Sequence, residues 1–310
     1  MNILVTRHDK IGDFMTTLPM LKILKKYTKH KVTVLVSKIN FDLAKSLPYV
    51  DDVILYTENT TELLGEIHAR KIDVSISCFI DTHLAWVLFL ARIPERYGPA
   101  TKLAQIFLNK RVKQRRSEVK MTEWEYNVDL LKAFIPDIKI HIDRPLLEFK
   151  KEKTEDKKII AFHAGYGGSS DGNLTLDDYL NLARSISDKQ NLKIVFTFGP
   201  DDGDSKDYIE ENLDFKADII DSKMSLIEFC EMISTFDLFV STSTGPMHLA
   251  GGLNIKTMSF FGDSLFASSK RWATISDKKK QNNFEVPNDY GRDYYKNVEN
   301  KLKELINEIQ

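Results

Sequence analysis

Short apolar runs of four to seven residues alternate with amphipathic helical stretches along almost the whole chain, and this alternation leaves few folds open. Such runs read as strands of a parallel sheet buried on both faces, and the helices between them as the crossovers that cover it. In the first half, strands are predicted at residues 3–6, 31–36, 52–56, 73–77 and 96–98. Helices fall at 14–27, 41–47, 61–69 and 84–91, and Pro19 inside the first predicts a kink or a displaced start. A second series begins after residue 155, with strands at 158–163, 192–198, 217–220, 237–241 and 256–261. Its helices are predicted at 176–188, 204–212, 226–235 and 247–252, and the charged segment 150–158 reads as a linker.

A chain of 310 residues exceeds what one core holds comfortably. The expected fold is therefore α/β with two Rossmann-like domains, residues 1–150 and 151–288, and a last helix at 289–310 free to cross back to the first domain. Parallel sheets in tandem would turn their carboxyl ends toward a central cleft, where open α/β folds bind ligands. A net charge of −1 supplies no global field for nucleic acid, so any basic site is local. Cys78 and Cys230 lie far apart without metal-ligand spacing and read as buried thiols. The opening residues lack a signal-peptide layout, and the longest apolar run, 84–91, is far short of the roughly 20 residues that span a bilayer. A cytoplasmic location is expected, with room for peripheral contact at the inner face of a membrane.

Four post-strand segments carry candidate chemistry. The first is the turn TRHDKIGDF, residues 6–14, where Gly12 permits a tight turn and Asp13 sits near a helix start. Asp13 is either an N-cap, worth about 1 kcal/mol, or a carboxylate able to take a proton from a substrate hydroxyl. Asp9 reads as a solvated loop charge, while Arg7 and Lys10 are candidates to face phosphate. The second is HAGYGGSS, where His163, Gly165, Gly167 and Gly168 follow a strand and let backbone N–H groups approach a phosphate. Its G-x-G-G spacing is not the dinucleotide fingerprint. The third is STSTGPMHLAGG, where Ser243 and Thr244 precede a helix opening with Gly245 and Pro246, a ready anion site with Met247 and His248 one turn in. The fourth is Asp202, after the strand KIVFTF, which either holds ribose hydroxyls or shapes an ordinary turn. The run KRVKQRR, residues 110–116, is either a solvated loop or a site for an acidic acceptor, with Arg111 and Arg115 as candidate contacts. No metal cluster and no nucleophile elbow occurs, so neither a metal nor another cofactor is expected.

Three of these stations, in this order, resemble the bacterial heptosyltransferases, the family that adds heptose from ADP-heptose to the lipopolysaccharide inner core. RHDKIGDFMTTLPMLKILKK is similar to the family's R-x-x-x-I-G-D turn and following helix. AFHAGYGGSS with TLDDYLNLAR is similar to its H-P-G-x-G-G-S loop and next helix, and STGPMHLAGGLNIKTMSFFG to its D-T-G-P-M-H-L-A string. The resemblance implies a GT-B fold, with an N-terminal acceptor domain, a C-terminal nucleotide-sugar domain, and inverting, metal-independent transfer to a glycolipid or oligosaccharide acceptor. It implies that Asp13 is the catalytic base and that Thr244, Gly245, Pro246, Met247 and His248 hold the donor diphosphate and sugar. Two positions depart from the pattern. The family's Lys and Trp before the second helix are replaced by Asp171-Gly172-Asn173-Leu174, and its Asp before T-G-P is Ser243. A cation for the leaving phosphate must then come from elsewhere, with Arg7, Lys10, Lys270 and Arg271 as candidates. Two rival functions stand beside transfer: a nucleotide-sugar epimerase of the same fold, marked by acceptor-free conversion, and a silent nucleotide-sugar or glycan-binding protein.

Overall fold

The computed structural model describes residues 1–153, 155–165, 172–221 and 223–309. The chain divides into two compact units, Met1–Leu146 and Leu147–Gln310.

The first unit runs β1 (Asn2–Arg7), α1 (Ile11–Met15), α2 (Leu18–Tyr27), β2 (Lys31–Val36), α3 (Phe41–Ser46), β3 (Asp52–Leu55), α4 (Thr60–Ala69), β4 (Val74–Ser77), α5 (Thr82–Leu90), β5 (Glu95–Pro99), β6 (Lys110–Val112) and α6 (Glu123–Phe134). Its six strands lie in the order β3-β2-β1-β4-β5-β6 with parallel pairing throughout. Ile3, Leu4 and Val5 of β1 are buried on both faces of the sheet, as a central parallel strand requires. Pro19 sits in the first turn of α2, so the predicted single helix is two, interrupted at Thr16 and Thr17. Side chains fix the later starts: Asn59 accepts from the Thr61 and Glu62 amides, and Thr122 with Glu125 forms a capping box ahead of α6. Strand β6 corrects the loop expected over residues 110–116. It is a three-residue edge strand carrying Lys110 and Arg111, and cations are common on edges because they discourage further pairing.

The second unit runs β7 (Lys158–His163), α7 (Leu176–Arg184), β8 (Leu192–Phe198), α8 (Gly203–Asn212), β9 (Asp218–Asp221), α9 (Leu226–Ile233), β10 (Leu238–Thr242), α10 (Gly245–Gly252), β11 (Lys256–Gly262), α11 (Ser269–Trp272), β12 (Gln281–Val286) and α12 (Arg292–Ile309). The order β12-β11-β10-β7-β8-β9 repeats that of the first unit. Strand β12 adds to the strands predicted from the sequence; its QNN start is half-buried at an edge and shows no apolar alternation. Helix α12 places Val298, Leu302, Leu305 and Ile306 in the same core as Tyr179, Leu180 and the β7 and β8 interior. Those four residues recur at helical spacing and need an apolar face, which this unit provides.

Each sheet reverses its direction of winding once, between β1 and β4 in the first unit and between β7 and β10 in the second. The crevice at the carboxyl ends of those strand pairs is where doubly wound sheets bind ligands.

Candidate active site

At the first switch point β1 ends on Arg7, which is only 4 % exposed. Its Nε donates to Asp9 Oδ1 at 2.8 Å and its Nη2 to Asp13 Oδ1. Its Nη1 donates to Glu123 Oε1 and to the Cys78 carbonyl, both at 3.3 Å. Arg116 adds a second guanidinium, donating to the same Glu123 oxygen and to the Cys78 carbonyl at 3.2 Å. Asn127 joins the ring: its amide donates to Thr16 Oγ1 at 2.9 Å, and Thr16 Oγ1 in turn donates to the Asp13 carbonyl at 2.6 Å. Three carboxylates thus share two guanidiniums.

Burial pushes the Asp13 carboxyl above the usual carboxylate range, against the pull of Arg7. Burial alone would lower the Arg7 pKa, yet Asp13, Asp9 and Glu123 hold it above its ordinary value. The Cys78 thiol, buried beside them, is pushed up to about 12 and stays protonated at neutral pH.

Several sequence expectations change here. Asp13 is no N-cap: Lys10 occupies that position, and Asp13 turns its carboxylate to Arg7 from the third residue of α1. Arg7, offered as a phosphate contact, directs its hydrogen bonds to Asp9, Asp13, Glu123 and the Cys78 carbonyl. Asp9 is part of the cluster instead of a solvated loop charge, and its carbonyl also accepts from Ser37 Oγ at 2.8 Å. Within the 110–116 run, Arg116 turns inward while Arg111 and Arg115 stay exposed, Arg115 pairing with Glu118 at 3.1 Å. The 3-10 turn that carries Arg116 is bracketed by Arg115 and Val119 at φ 45° and 44°, and a left-handed valine is a costly conformation held by its surroundings. Lys10 is exposed and Gly12 lies within α1. Glu123 and Arg116 were not picked out from the sequence as site residues, although the T-x-x-E capping box at Thr122 marked where Glu123 begins a helix.

At the second switch point, His163 ends β7 and is buried. Its Nδ1 lies 3.0 Å from Thr197 Oγ1 and its Nε2 3.7 Å from Asp202 Oδ2. Burial lowers the imidazole pKa to about 4, so it is neutral at neutral pH. Asp202 is also buried, and its carboxylate accepts the Gly199 amide at 2.8 Å. A Cβ on Gly165 would lie 2.0 Å from Asp202 Cγ, so only glycine allows the β7 loop to pass this carboxylate. The loop returns at Gly172, where a Cβ would lie 2.4 Å from Gly262 backbone, and the Gly172 carbonyl accepts from Thr242 Oγ1 at 2.7 Å. Gly167 and Gly168 lie outside the described residues. Thr244 is the N-cap of α10, yet its side chain does not cap, its hydroxyl lying 3.4 Å from the Thr242 carbonyl. The first N–H groups of α10 are therefore left to other acceptors. Ser243 is pinned through its amide to the Phe260 carbonyl at 2.9 Å. Met247 and His248 are buried; burial lowers the His248 pKa to about 4, and its ring meets Trp272 edge-on at 6.4 Å. A cavity of about 200 Å³ opens past β8 and β9, lined by Phe198, Asp202, Lys206, Asp221 and Lys223 among others.

Glu123 is the carboxylate that Arg116 pairs with, so its loss takes the ion-pair partner from a largely buried guanidinium. Glu123→Ala is expected to cost about 3–5 kcal/mol of stability by chemical denaturation, well above the effect of an exposed pair.

The chain matches Glycosyltransferase family 9 (heptosyltransferase) over residues 62–301. A Haemophilus influenzae protein named "Putative glycosyltransferase" is 35 % identical over 303 residues, with 90 % of this chain and 87 % of that protein covered. Lipooligosaccharide heptosyltransferase 2 of Campylobacter jejuni is 22 % identical over 278 residues, covering 86 % of this chain and 83 % of its own. The structure of E. coli ADP-heptose lps heptosyltransferase II covers 100 % of both chains with a TM-score of 0.76 at 19 % identity, which shows a shared GT-B fold. With the family matched over most of its length, the chain belongs to glycosyltransferase family 9 and is a glycosyltransferase of the heptosyltransferase type.

Proposed function

We propose that the protein transfers heptose or a related sugar, with inversion, from a nucleoside-diphosphate donor to a lipopolysaccharide-core or similar glycolipid acceptor. ADP-heptose is the donor favoured by the name of the E. coli relative. The observation that carries the reading is the placement of Asp13: its carboxylate stands at the first switch point, oriented by the Arg7 guanidinium, where burial raises its pKa. A carboxylate held above its ordinary pKa is a competent proton acceptor.

In the proposed step the acceptor hydroxyl oxygen attacks the anomeric carbon as the bond to the diphosphate oxygen breaks. The hydroxyl proton passes to an Asp13 carboxylate oxygen, and the nucleoside diphosphate departs with the bonding pair. General-base help of this kind is typically worth about 10²–10⁴-fold. The donor belongs to the second unit, where uncapped N–H groups at Gly245 and Met247, the Thr244 hydroxyl and the His163–Gly165 turn supply preorganised donors to the diphosphate without a metal. The cavity at Asp202 and Lys206 suits the nucleoside. For the leaving-group cation, Arg271 is favoured over Arg7. Its guanidinium stacks on Phe266 at 3.7 Å and Trp272 at 4.8 Å, and Trp272 touches His248 in α10. Lys10, Arg111 and Arg115 remain exposed cations for an acidic acceptor.

Asp13→Asn is expected to lower turnover by at least about 10²-fold while nucleotide affinity, read by calorimetry, stays within a few-fold. Lost donor affinity with intact turnover would remove Asp13 from the chemistry. Thr244→Ala breaks only one long hydrogen bond, so it is expected to weaken donor binding with little change in melting temperature. Unchanged affinity would leave α10 with a purely structural start.

A further inference from the structure

One face of the first unit is neither core nor part of the site. Helix α5 is apolar along most of its length, yet it buries only Leu84, Ala85, Val87 and Leu88 and leaves Trp86 and Phe89 40 % and 45 % exposed. Beside it, the 3-10 turn Leu103–Phe107 is anchored through buried Ala104, with Leu108 behind it, and turns Leu103 and Ile106 outward, 84 % and 62 % exposed. Phe107 joins the two pieces, its ring 5.3 Å from Trp86 and 5.8 Å from Phe89. Four large apolar side chains on one surface exceed the scattered exposure normal for a monomer.

The charge around them is lopsided. Between residues 82 and 116 the sequence holds eight lysines and arginines and one carboxylate, Glu95, although the whole chain has 44 basic and 45 acidic residues. Arg96 lies within the patch, its guanidinium 5.6 Å above the Phe89 ring and its Nε donating to the Phe107 carbonyl at 2.8 Å. Lys102 precedes the turn, and Lys110 and Arg111 follow it on β6. Arg92, Lys102, Lys110 and Lys113 form no ion pair among the described residues.

We propose that this face docks on an anionic phospholipid surface, with Trp86, Phe89, Leu103 and Ile106 entering the headgroup region and the surrounding cations meeting lipid phosphates. Aromatic and aliphatic side chains flanked by lysine and arginine are what an interfacial contact requires. A second copy of this chain fits worse, since a two-fold contact would set the same cations against each other. Among the described residues no helix is long and apolar enough to cross a membrane, and docking of this kind needs none. The proposal shares Arg111 with the acceptor contacts proposed above, and its test reads lipid binding separately from nucleotide affinity.

The test is co-sedimentation of the full chain with vesicles of phosphatidylcholine alone or mixed with phosphatidylglycerol, compared with L103S/I106S and K110E/K113E. Binding to mixed vesicles, weak binding to neutral ones, a fall with added salt and a loss of roughly ten-fold or more in each variant are expected. Unchanged nucleotide affinity in the variants would show that they are folded. Equal binding to both vesicle types, no binding, or variants that bind like the unaltered chain would overturn the proposal. So would self-association that L103S/I106S abolishes in a protein that ignores vesicles.

Discussion

A single buried guanidinium organises the start of this protein. Arg7 closes the central strand of the first sheet and gathers Asp9 and Asp13 from the following turn, Glu123 from the start of α6, and the carbonyl that ends β4. Removing an arginine from water costs several kcal/mol unless its donors find acceptors, and here every nitrogen does. The consequence is an ordered carboxylate at the switch point of a doubly wound sheet. Arg116 shares Glu123, so the cluster also ties a strained surface turn to the centre of the sheet.

The second unit solves a different problem at the equivalent place. Among the described residues no cation cluster is built there; Gly165 instead lies against the buried Asp202 carboxylate and Gly172 against the β11 backbone. Neutral His163 and His248 keep the surroundings free of titrating charge at neutral pH. Backbone N–H groups can then dominate toward an anion. Where the family pattern has Lys and Asp, this chain reads Asp171-Gly172-Asn173-Leu174 and Ser243, and Arg271 is the cation proposed in place of the lysine.

Much of this was legible in the sequence, for identifiable reasons. Apolar runs with period-breaking turns locate ten of the twelve strands among the described residues, because central parallel strands must be apolar on both faces. Strands β6 and β12 escaped, being edges where charged or polar residues suffice. Asp13 was visible from its place after β1, but its partner was not. Arg7 reaches Glu123 across 116 positions, and nothing local distinguishes an inward arginine from one facing phosphate. The cation run illustrates the same limit: seven adjacent residues split between an edge strand, exposed arginines and one interior guanidinium. Asp202 read equally well as a ribose ligand or a turn residue, and its carboxylate proves to be tied to the Gly199 amide.

The central claim is that Arg7 sets the basicity of Asp13. The direct measurement is the pH dependence of kcat/KM for transfer in the unaltered protein and in folded Arg7→Gln. As the proposed base, Asp13 would act as the ionised carboxylate, so the rate would fall as pH drops through its pKa. Taking away the guanidinium removes the influence that holds that pKa down, and the acid limb is predicted to move to higher pH. A limb that stays in place, or moves to lower pH, would contradict the account.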